Sequence, residues 1–217
     1  MSDAALYGDT WASVYDDVHA ADPTAAVDAL AHLAGAGPAL ELGVGTGRIA
    51  IPLAARGVTV HAIEASQAMI DRLRAKPGGD AICITRDDFT TVAVAGEFTL
   101  IYIVASTLYG LLTHVAQLCC VRSAAAHLAP TGVLVVEAFV PDPARLAPSE
   151  HDPVAQRISS VRPHGGQRLP IELRYIWPDE LDELARVSGL RLRERWCDWN
   201  RGAYTASGSH VSIYERA

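Results

Sequence analysis

The sequence predicts a doubly wound α/β fold: a seven-stranded, mostly parallel sheet with an antiparallel C-terminal strand pair. Three observations predict it. Helical and extended patterns alternate from residue 24 to residue 140. The extended stretches are continuously apolar rather than alternating, as in strands covered on both faces. The last two strands follow one another without a crossover helix, so they must pair antiparallel.

Tyr7, Trp11 and Tyr15 recur at every fourth residue, which predicts one N-terminal helix carrying all three on one face. Pro23 and Thr24 open a second helix that runs to about Ala34 and is closed by Gly35 and Gly37. A short strand over 39–42 breaks at a glycine turn, a helix follows over 48–55, and Gly57 stops it. A strand over 58–63 ends at Glu64; Ser66 then caps a helix over 67–76, which Pro77-Gly78-Gly79 ends. Further strands are predicted over 81–84, 98–104 and 131–140, the last introduced by a Pro130-Thr131-Gly132 turn. Residues 141–170 are rich in Pro, Ser, His and Gly and read as irregular. A strand over 171–177, a helix over 178–188 and strands over 190–196 and 210–214 complete the chain.

Half of the 217 residues are hydrophobic and a fifth are charged, the composition of a soluble globular protein. Eighteen Lys and Arg against twenty-five Asp and Glu give a net charge of −7, which disfavours nucleic acid as a partner. The one dense basic stretch, Arg191 to Arg195, alternates like a solvated strand face. Residues 98–121 carry no formal charge and are long enough to cross a bilayer. Yet Ser106, Thr107, Gly110, Thr113, His114 and Gln117 interrupt them, and the pattern changes near Gly110, so a buried strand followed by a buried helix is expected and no membrane partner. The acidic start carries no signal-peptide pattern, and a cytoplasmic location is expected. Cys83, Cys119, Cys120 and Cys197 lack metal-ligand spacing and read as reduced thiols, with no metal site.

The feature that carries chemistry is Glu41-Leu42-Gly43-Val44-Gly45-Thr46-Gly47-Arg48, a strand feeding a glycine turn into a helix. Such a turn lies beyond the carboxyl end of the first strand, where open α/β sheets bind ligands. Its glycines let a ligand come close to backbone N–H groups, and Arg48 at the helix start suits an anion. Glu64, ending the next strand, is placed to accept both hydroxyls of a ribose, so the pair implies a nucleoside cofactor.

A nicotinamide site prefers G-x-G-x-x-G, whereas here the third glycine comes one residue early and Glu41 precedes the first by two. At this point the sequence resembles the class I S-adenosylmethionine-dependent methyltransferases of Rossmann-like fold, over nearly the whole chain. The resemblance implies S-adenosyl-L-methionine as cofactor, and Glu64 for its ribose, with Ala65 and Met69 packing on adenine. Asp87, Asp88 and Phe89 would lie near the adenine amino group, although Arg86 stands where a glycine is common. The fourth strand would offer the carbonyl of Ile103 or Val104 to the cofactor's ammonium. The N-terminal YGDTWASVYDDVH is similar to the opening helix of small-molecule methyltransferases, including amino-sugar N-methyltransferases, and implies that Tyr15 reaches the cofactor carboxylate.

Methyl transfer from a sulfonium is an in-line displacement, accelerated mainly by holding the nucleophile in place. A base is needed only for an acceptor that must lose a proton. Val104-Ala105-Ser106-Thr107 contains no carboxylate for a Mg²⁺ site and lacks the Asn/Asp-Pro-Pro-aromatic and Pro-Cys sequences of amide, base and cytosine C5 methyltransferases. A small-molecule oxygen or nitrogen acceptor is therefore expected. Tyr7, Trp11, Tyr175, Trp177 and Trp199 are the candidate pocket residues, and His114 is the candidate base, ahead of His151, His164 and His210. The chain reads as one methyltransferase domain, 1–217, with 1–22 as a helical cap and 141–177 as a substrate-side insertion, a monomer or homodimer. The alternatives are a nicotinamide-dependent oxidoreductase and a repurposed member of the fold without methyl transfer.

Overall fold

A computed structural model of the chain describes residues 4–142, 146–147 and 150–217. Residues 143–145 and 148–149 of the expected insertion lie outside the described residues. The central sheet has seven strands in the order β3-β2-β1-β4-β5-β10-β9. Its first five, β1 (Ala39–Leu42), β2 (Val60–Glu64), β3 (Cys83–Arg86), β4 (Phe98–Ile103) and β5 (Leu128–Phe139), run parallel. β10 (Ser209–Arg216) is antiparallel to both β5 and β9 (Leu190–Trp196). The predicted architecture is the observed one.

The parallel strands other than β3, at the edge of the sheet, are mostly buried because helices cover both faces. One face packs α3 (Thr24–Ala34) and α4 (Ala50–Ala55) on Leu100, Tyr102 and Val135. The other packs α6 (His114–Ala126) and α7 (Pro178–Val187) on Ile101, Ile103 and Val136. Local capping matches the sequence: Ser66 Oγ accepts the Met69 N–H at 3.2 Å to start α5 (Gln67–Arg74), and Thr113 Oγ1 accepts the Ala116 N–H at 3.1 Å to start α6. The uncharged run 98–121 becomes β4, a 3₁₀ turn over Thr107–Gly110 and the start of α6. No helix among the described residues is long and apolar enough to cross a membrane.

Most boundaries fall within two residues of expectation, and four differences have a structural cause. The single N-terminal helix divides into α1 (Leu6–Trp11) and α2 (Tyr15–Val18), because Val14 leaves helical geometry at φ −123°, ψ −3°. Tyr7 and Trp11 still stack, with ring centroids 5.4 Å apart, while Tyr15 turns to the glycine loop. β3 starts two residues late because left-handed Gly78 winds Gly79–Ala81 into a 3₁₀ turn. Pro130 to Gly132 belong to β5, where they form a register irregularity against Phe98 and Leu100.

The fourth difference is the largest. The segment expected to be irregular, with the first part of the strand expected over 171–177, forms a second, three-stranded antiparallel sheet: β6 (His151–Asp152), β7 (Arg157–His164) and β8 (Gln167–Arg174), and residues 175–177 lie beyond it. β7 and β8 meet at Gly165-Gly166, with φ of 55° and 77°, the two-residue turn whose twist suits a hairpin. Trp11 Nε1 donates to the Pro170 carbonyl at 2.9 Å, which joins this sheet to the N-terminal segment. Buried Arg174 anchors its far end, donating to Gln117 and Gln156, while Gln117 Nε2 returns a bond to the Arg174 carbonyl at 2.8 Å.

Candidate active site

The strand order reverses between β1 and β4, and at their carboxyl ends two loops face each other: 43–48 after β1 and 104–107 after β4. Gly43, Gly45 and Gly47 all have positive φ, at 78°, 55° and 80°. A side chain at Gly43 would place Cβ 2.4 Å from Thr107 Cγ2, so only glycine lets the two loops close to this distance. Gly45 is different: its nearest neighbour is the Tyr15 ring, 3.8 Å from where a Cβ would sit, so its bare backbone faces open space under that ring.

Glu64 lies beneath this turn. Its Oε2 accepts the Gly45 N–H at 2.8 Å and its Oε1 the Ser66 N–H at 2.9 Å. Burial raises its carboxyl pKa, and these backbone donors oppose the rise. Glu41 is more deeply buried. Desolvation pushes its pKa up to about 8 against the Tyr102 hydroxyl, which donates to it at 2.9 Å, and the nearby Arg48. Tyr15 is pushed up to about 12, chiefly by burial, so its hydroxyl stays protonated and serves as a donor. Tyr7, next to Tyr15, is raised by burial and by that neighbour.

The enclosed space between Tyr15, Glu41, Gly43, Arg48, Val104 and Thr107 is about 10 Å³, the room of one water. Its roof is Tyr15, in a segment held by hydrogen bonds rather than by the sheet. Ser66 Oγ donates to Asp9 at 2.6 Å, while Thr46 Oγ1 and Lys76 Nζ donate to Asp16 Oδ1 at 2.5 and 2.8 Å. A nucleoside-sized occupant needs that roof to lift. A larger open groove of about 580 Å³ runs along α3 by Asp22, Asp28 and Trp199, but its carboxylates are spent on Thr24 and Arg56.

The remaining residues singled out from sequence fall in several places. Phe89 lies against the crevice, with Cε1 3.4 Å from where a Gly43 Cβ would be. Met69 is buried under Trp11, and Ala65 is half-buried beside Glu64. Asp87 is exposed, and Asp88 Oδ1 caps its own loop by accepting from the Thr90 N–H and hydroxyl at 2.9 Å. Ile103 is fully buried and Val104 lines the crevice. Tyr175 is buried in the α6–α7 core, its hydroxyl 3.0 Å from His151 Nε2, and Trp177 packs edge-on to it. Trp199 donates its indole N–H to Glu137 Oε1 at 2.9 Å. His114 is exposed on the first turn of α6 and makes no hydrogen bond among the described residues.

Residues 39–132 match the family model described as a methyltransferase domain. No curated protein sequence matches the chain significantly. Among solved structures, the chain is similar to the CcbJ methyltransferase from Streptomyces caelestis, at 37% identity over 99% of both chains with a TM-score of 0.91. The chain belongs to the S-adenosylmethionine-dependent methyltransferases. The fold alone is shared with two further proteins. The glycopeptide N-methyltransferase MtfA, complexed with S-adenosyl-L-methionine, is 20% identical over 91% of this chain and 88% of its own, with a TM-score of 0.68. CalS10, an amino pentose methyltransferase from Micromonospora echinaspora, is 20% identical over 92% and 96%, also with a TM-score of 0.68.

The crevice of this methyltransferase fits its cofactor in kind. It combines a glycine turn that a Cβ would fill, a buried carboxylate at the end of β2, a protonated tyrosine and an arginine. Sequence reasoning missed Asp9, Asp16, Lys76 and Glu137, which hold these parts together. The one signal available was a glutamate inside the apolar run of β5.

Proposed function

We propose that this methyltransferase acts on a small-molecule amine or hydroxyl, with the crevice between the glycine loop and the 104–107 loop as its cofactor site. The observation that carries the reading is the Gly45 cradle, a left-handed glycine under the Tyr15 ring with the Glu64 carboxylate beneath it. Bound there, S-adenosylmethionine supplies a methyl group made electrophilic by its sulfonium. Glu64 would take the ribose hydroxyls, and Ala65, Met69 and Phe89 would pack around the adenine. Arg48 and the protonated Tyr15 hydroxyl would hold the carboxylate at the methionine end. The carbonyl of Ile103 or Val104 would accept from its ammonium.

An amine nitrogen suits the site better than a phenol or alcohol. Tyr15, the phenol that lines the crevice, is held protonated and so cannot act as a base at neutral pH. An amine keeps a neutral fraction of its own and needs only positioning. MtfA, a glycopeptide N-methyltransferase, and CalS10, an amino pentose methyltransferase, share this fold, which agrees with such an acceptor. The net charge of −7 favours a cationic over an anionic molecule.

Calorimetric titration with S-adenosylhomocysteine and with NAD tests the cofactor site, and binding of NAD alone would reject it. Transfer of labelled methyl to a panel of amino sugars and phenols tests the acceptor class. Turnover confined to the phenols would reject the amine reading.

A further inference from the structure

Directly after β4 the backbone does something costly. Ala105 and Ser106 have φ of 53° and 60°, so two successive non-glycine residues are left-handed. Each is disfavoured roughly 5- to 30-fold against ordinary backbone. Such a pair persists only where its surroundings hold it, and held strain of this kind gathers at functional sites.

What holds it is β5. The parallel ladder between β4 and β5 ends at Ile103 and Val136, and Glu137 takes over one residue later. Its Oε2 accepts the Ala105 N–H at 2.8 Å, and its carbonyl accepts the Ser106 N–H at 3.1 Å. Ser106 Oγ returns the contact by accepting the Phe139 N–H at 3.1 Å. The other carboxylate oxygen accepts the Trp199 indole N–H at 2.9 Å. Both oxygens of a half-buried glutamate, in a strand otherwise apolar from Val133 to Ala138, are thus spent on one turn and one tryptophan. The turn matters because Val104, Ala105 and Thr107 form the crevice wall opposite the glycine loop.

We propose that Glu137 is a positioning residue: its carboxylate holds the left-handed Ala105-Ser106 turn, and with it the crevice wall, and ties that wall to the loop carrying Trp199. Among the described residues Glu137 makes no hydrogen bond to Glu64 or to the glycine loop, so it acts through Ala105. The inference rests on the reading of this crevice as the cofactor site, and the test separates the two.

Affinity for S-adenosylhomocysteine is measured by calorimetry in the wild type, Glu137→Ala, Ala105→Gly and the double variant, with thermal unfolding in parallel. Glu137→Ala should bind about ten-fold more weakly or worse, because the turn then relaxes. Ala105→Gly, which removes the cost of a left-handed residue, should recover roughly five-fold of the lost affinity in the double variant relative to Glu137→Ala alone. Merely structural damage would lower the unfolding temperature without this recovery. A folded Glu137→Ala that binds like the wild type, or a deficit that glycine at 105 leaves untouched, overturns the proposal. Should Glu137→Ala not fold, Glu137→Met keeps the volume without an acceptor for the Ala105 N–H, and wild-type affinity there overturns it equally. The Trp199 indole N–H resonance, assigned through Trp199→Phe, reports the clamp without any ligand and should move in Glu137→Gln. Failure of the wild type to bind S-adenosylhomocysteine while that resonance still moves defeats the cofactor reading and the crevice role, and leaves the clamp as a structural contact.

Discussion

Gly45 donates its backbone N–H to Glu64 Oε2 at 2.8 Å, so the turn after β1 and the end of β2 are joined through one buried carboxylate. The Ser66 N–H occupies the other oxygen, which leaves each with lone-pair capacity toward the crevice. Glu64→Ala removes two acceptors at once. Each stranded buried N–H costs about 1–3 kcal/mol, so the unfolding midpoint should fall. Affinity for S-adenosylhomocysteine should fall by roughly 10- to 100-fold, the value of contacts to a charged group. Glu64→Gln, keeping one good acceptor, should lie between. Calorimetry on the folded fraction separates the two effects, and unchanged affinity would remove Glu64 from the site.

At Gly45 the backbone and the space above it make different demands. An alanine there meets nothing closer than 3.8 Å, so folding should suffer only the left-handed backbone cost of about 1–2 kcal/mol. Its methyl, however, would stand where a ligand approaches the main chain. Gly45→Ala should therefore lose cofactor affinity out of proportion to stability. Gly43→Ala should show the reverse, because its Cβ strikes Thr107 Cγ2 at 2.4 Å whether or not anything is bound. Thermal unfolding and calorimetry on the two variants give opposite rankings, and identical rankings would mean that the space at Gly45 is not used.

The parts legible in the sequence are those whose cause is local. Leu40, Leu42 and Ile63 mark strands because they are apolar on both faces, and the glycines at 43, 45 and 47 mark a turn because only that residue takes positive φ without cost. The bonds between Glu137 and Ala105, or Asp16 and Lys76, join residues 32 and 60 positions apart and leave no local pattern. In β7 and β8, Gly165-Gly166 between two extended runs was a hairpin signal, but Pro163 and Pro170 argued against strands. The structure reconciles Pro170 by making β8 an edge, with its carbonyl turned outward to Trp11, and Pro163 by placing it beyond Arg157 and Ile158, the residues of β7 that pair with β6. The aromatic repeat of Tyr7, Trp11 and Tyr15 predicted one helix, yet Trp11 is drawn to Pro170 and Tyr15 to Gly45, and a bend at Val14 serves both.

The roof over the crevice is fastened at Asp16, whose Oδ1 takes both Thr46 Oγ1 and Lys76 Nζ. The ion pair is partly exposed, at 32% and 37%, so its loss should cost stability less than about 1 kcal/mol. Its effect should be kinetic, because Tyr15 must move for a ligand to enter or leave. Asp16→Asn and Lys76→Met should speed release of S-adenosylhomocysteine several-fold while leaving the unfolding midpoint nearly unchanged. Stopped-flow displacement measures the release rate, and equal rates in variants and wild type would mean that this contact does not restrain the roof.

His210 gives the fold a dependence on pH that arises outside the crevice. The residue is fully buried, with Nδ1 2.8 Å from Ser212 Oγ and Nε2 without a partner among the described residues. Ser212 Oγ also accepts from Arg195 Nε at 2.8 Å, and Arg195 pairs with Asp182, which accepts the Tyr214 hydroxyl at 2.7 Å. Tyr204 packs edge-on to the imidazole from the other side. Burial first, and then Arg195, hold the His210 pKa down to about 4, with Asp182 opposing them. The unfolded chain, with an ordinary histidine near 6.5, therefore takes up this proton first as the pH falls. The stability associated with neutral His210 is complete above about pH 6.5 and is lost progressively toward pH 4, by up to roughly 3 kcal/mol. His210→Asn, able to keep a bond to Ser212 but unable to titrate, should flatten that part of the curve. Urea unfolding of both proteins from pH 4 to pH 8 cancels the carboxylates they share, so the difference between the curves isolates this side chain. Parallel curves would show that this imidazole takes up its proton at the same pH in the native and the unfolded chain.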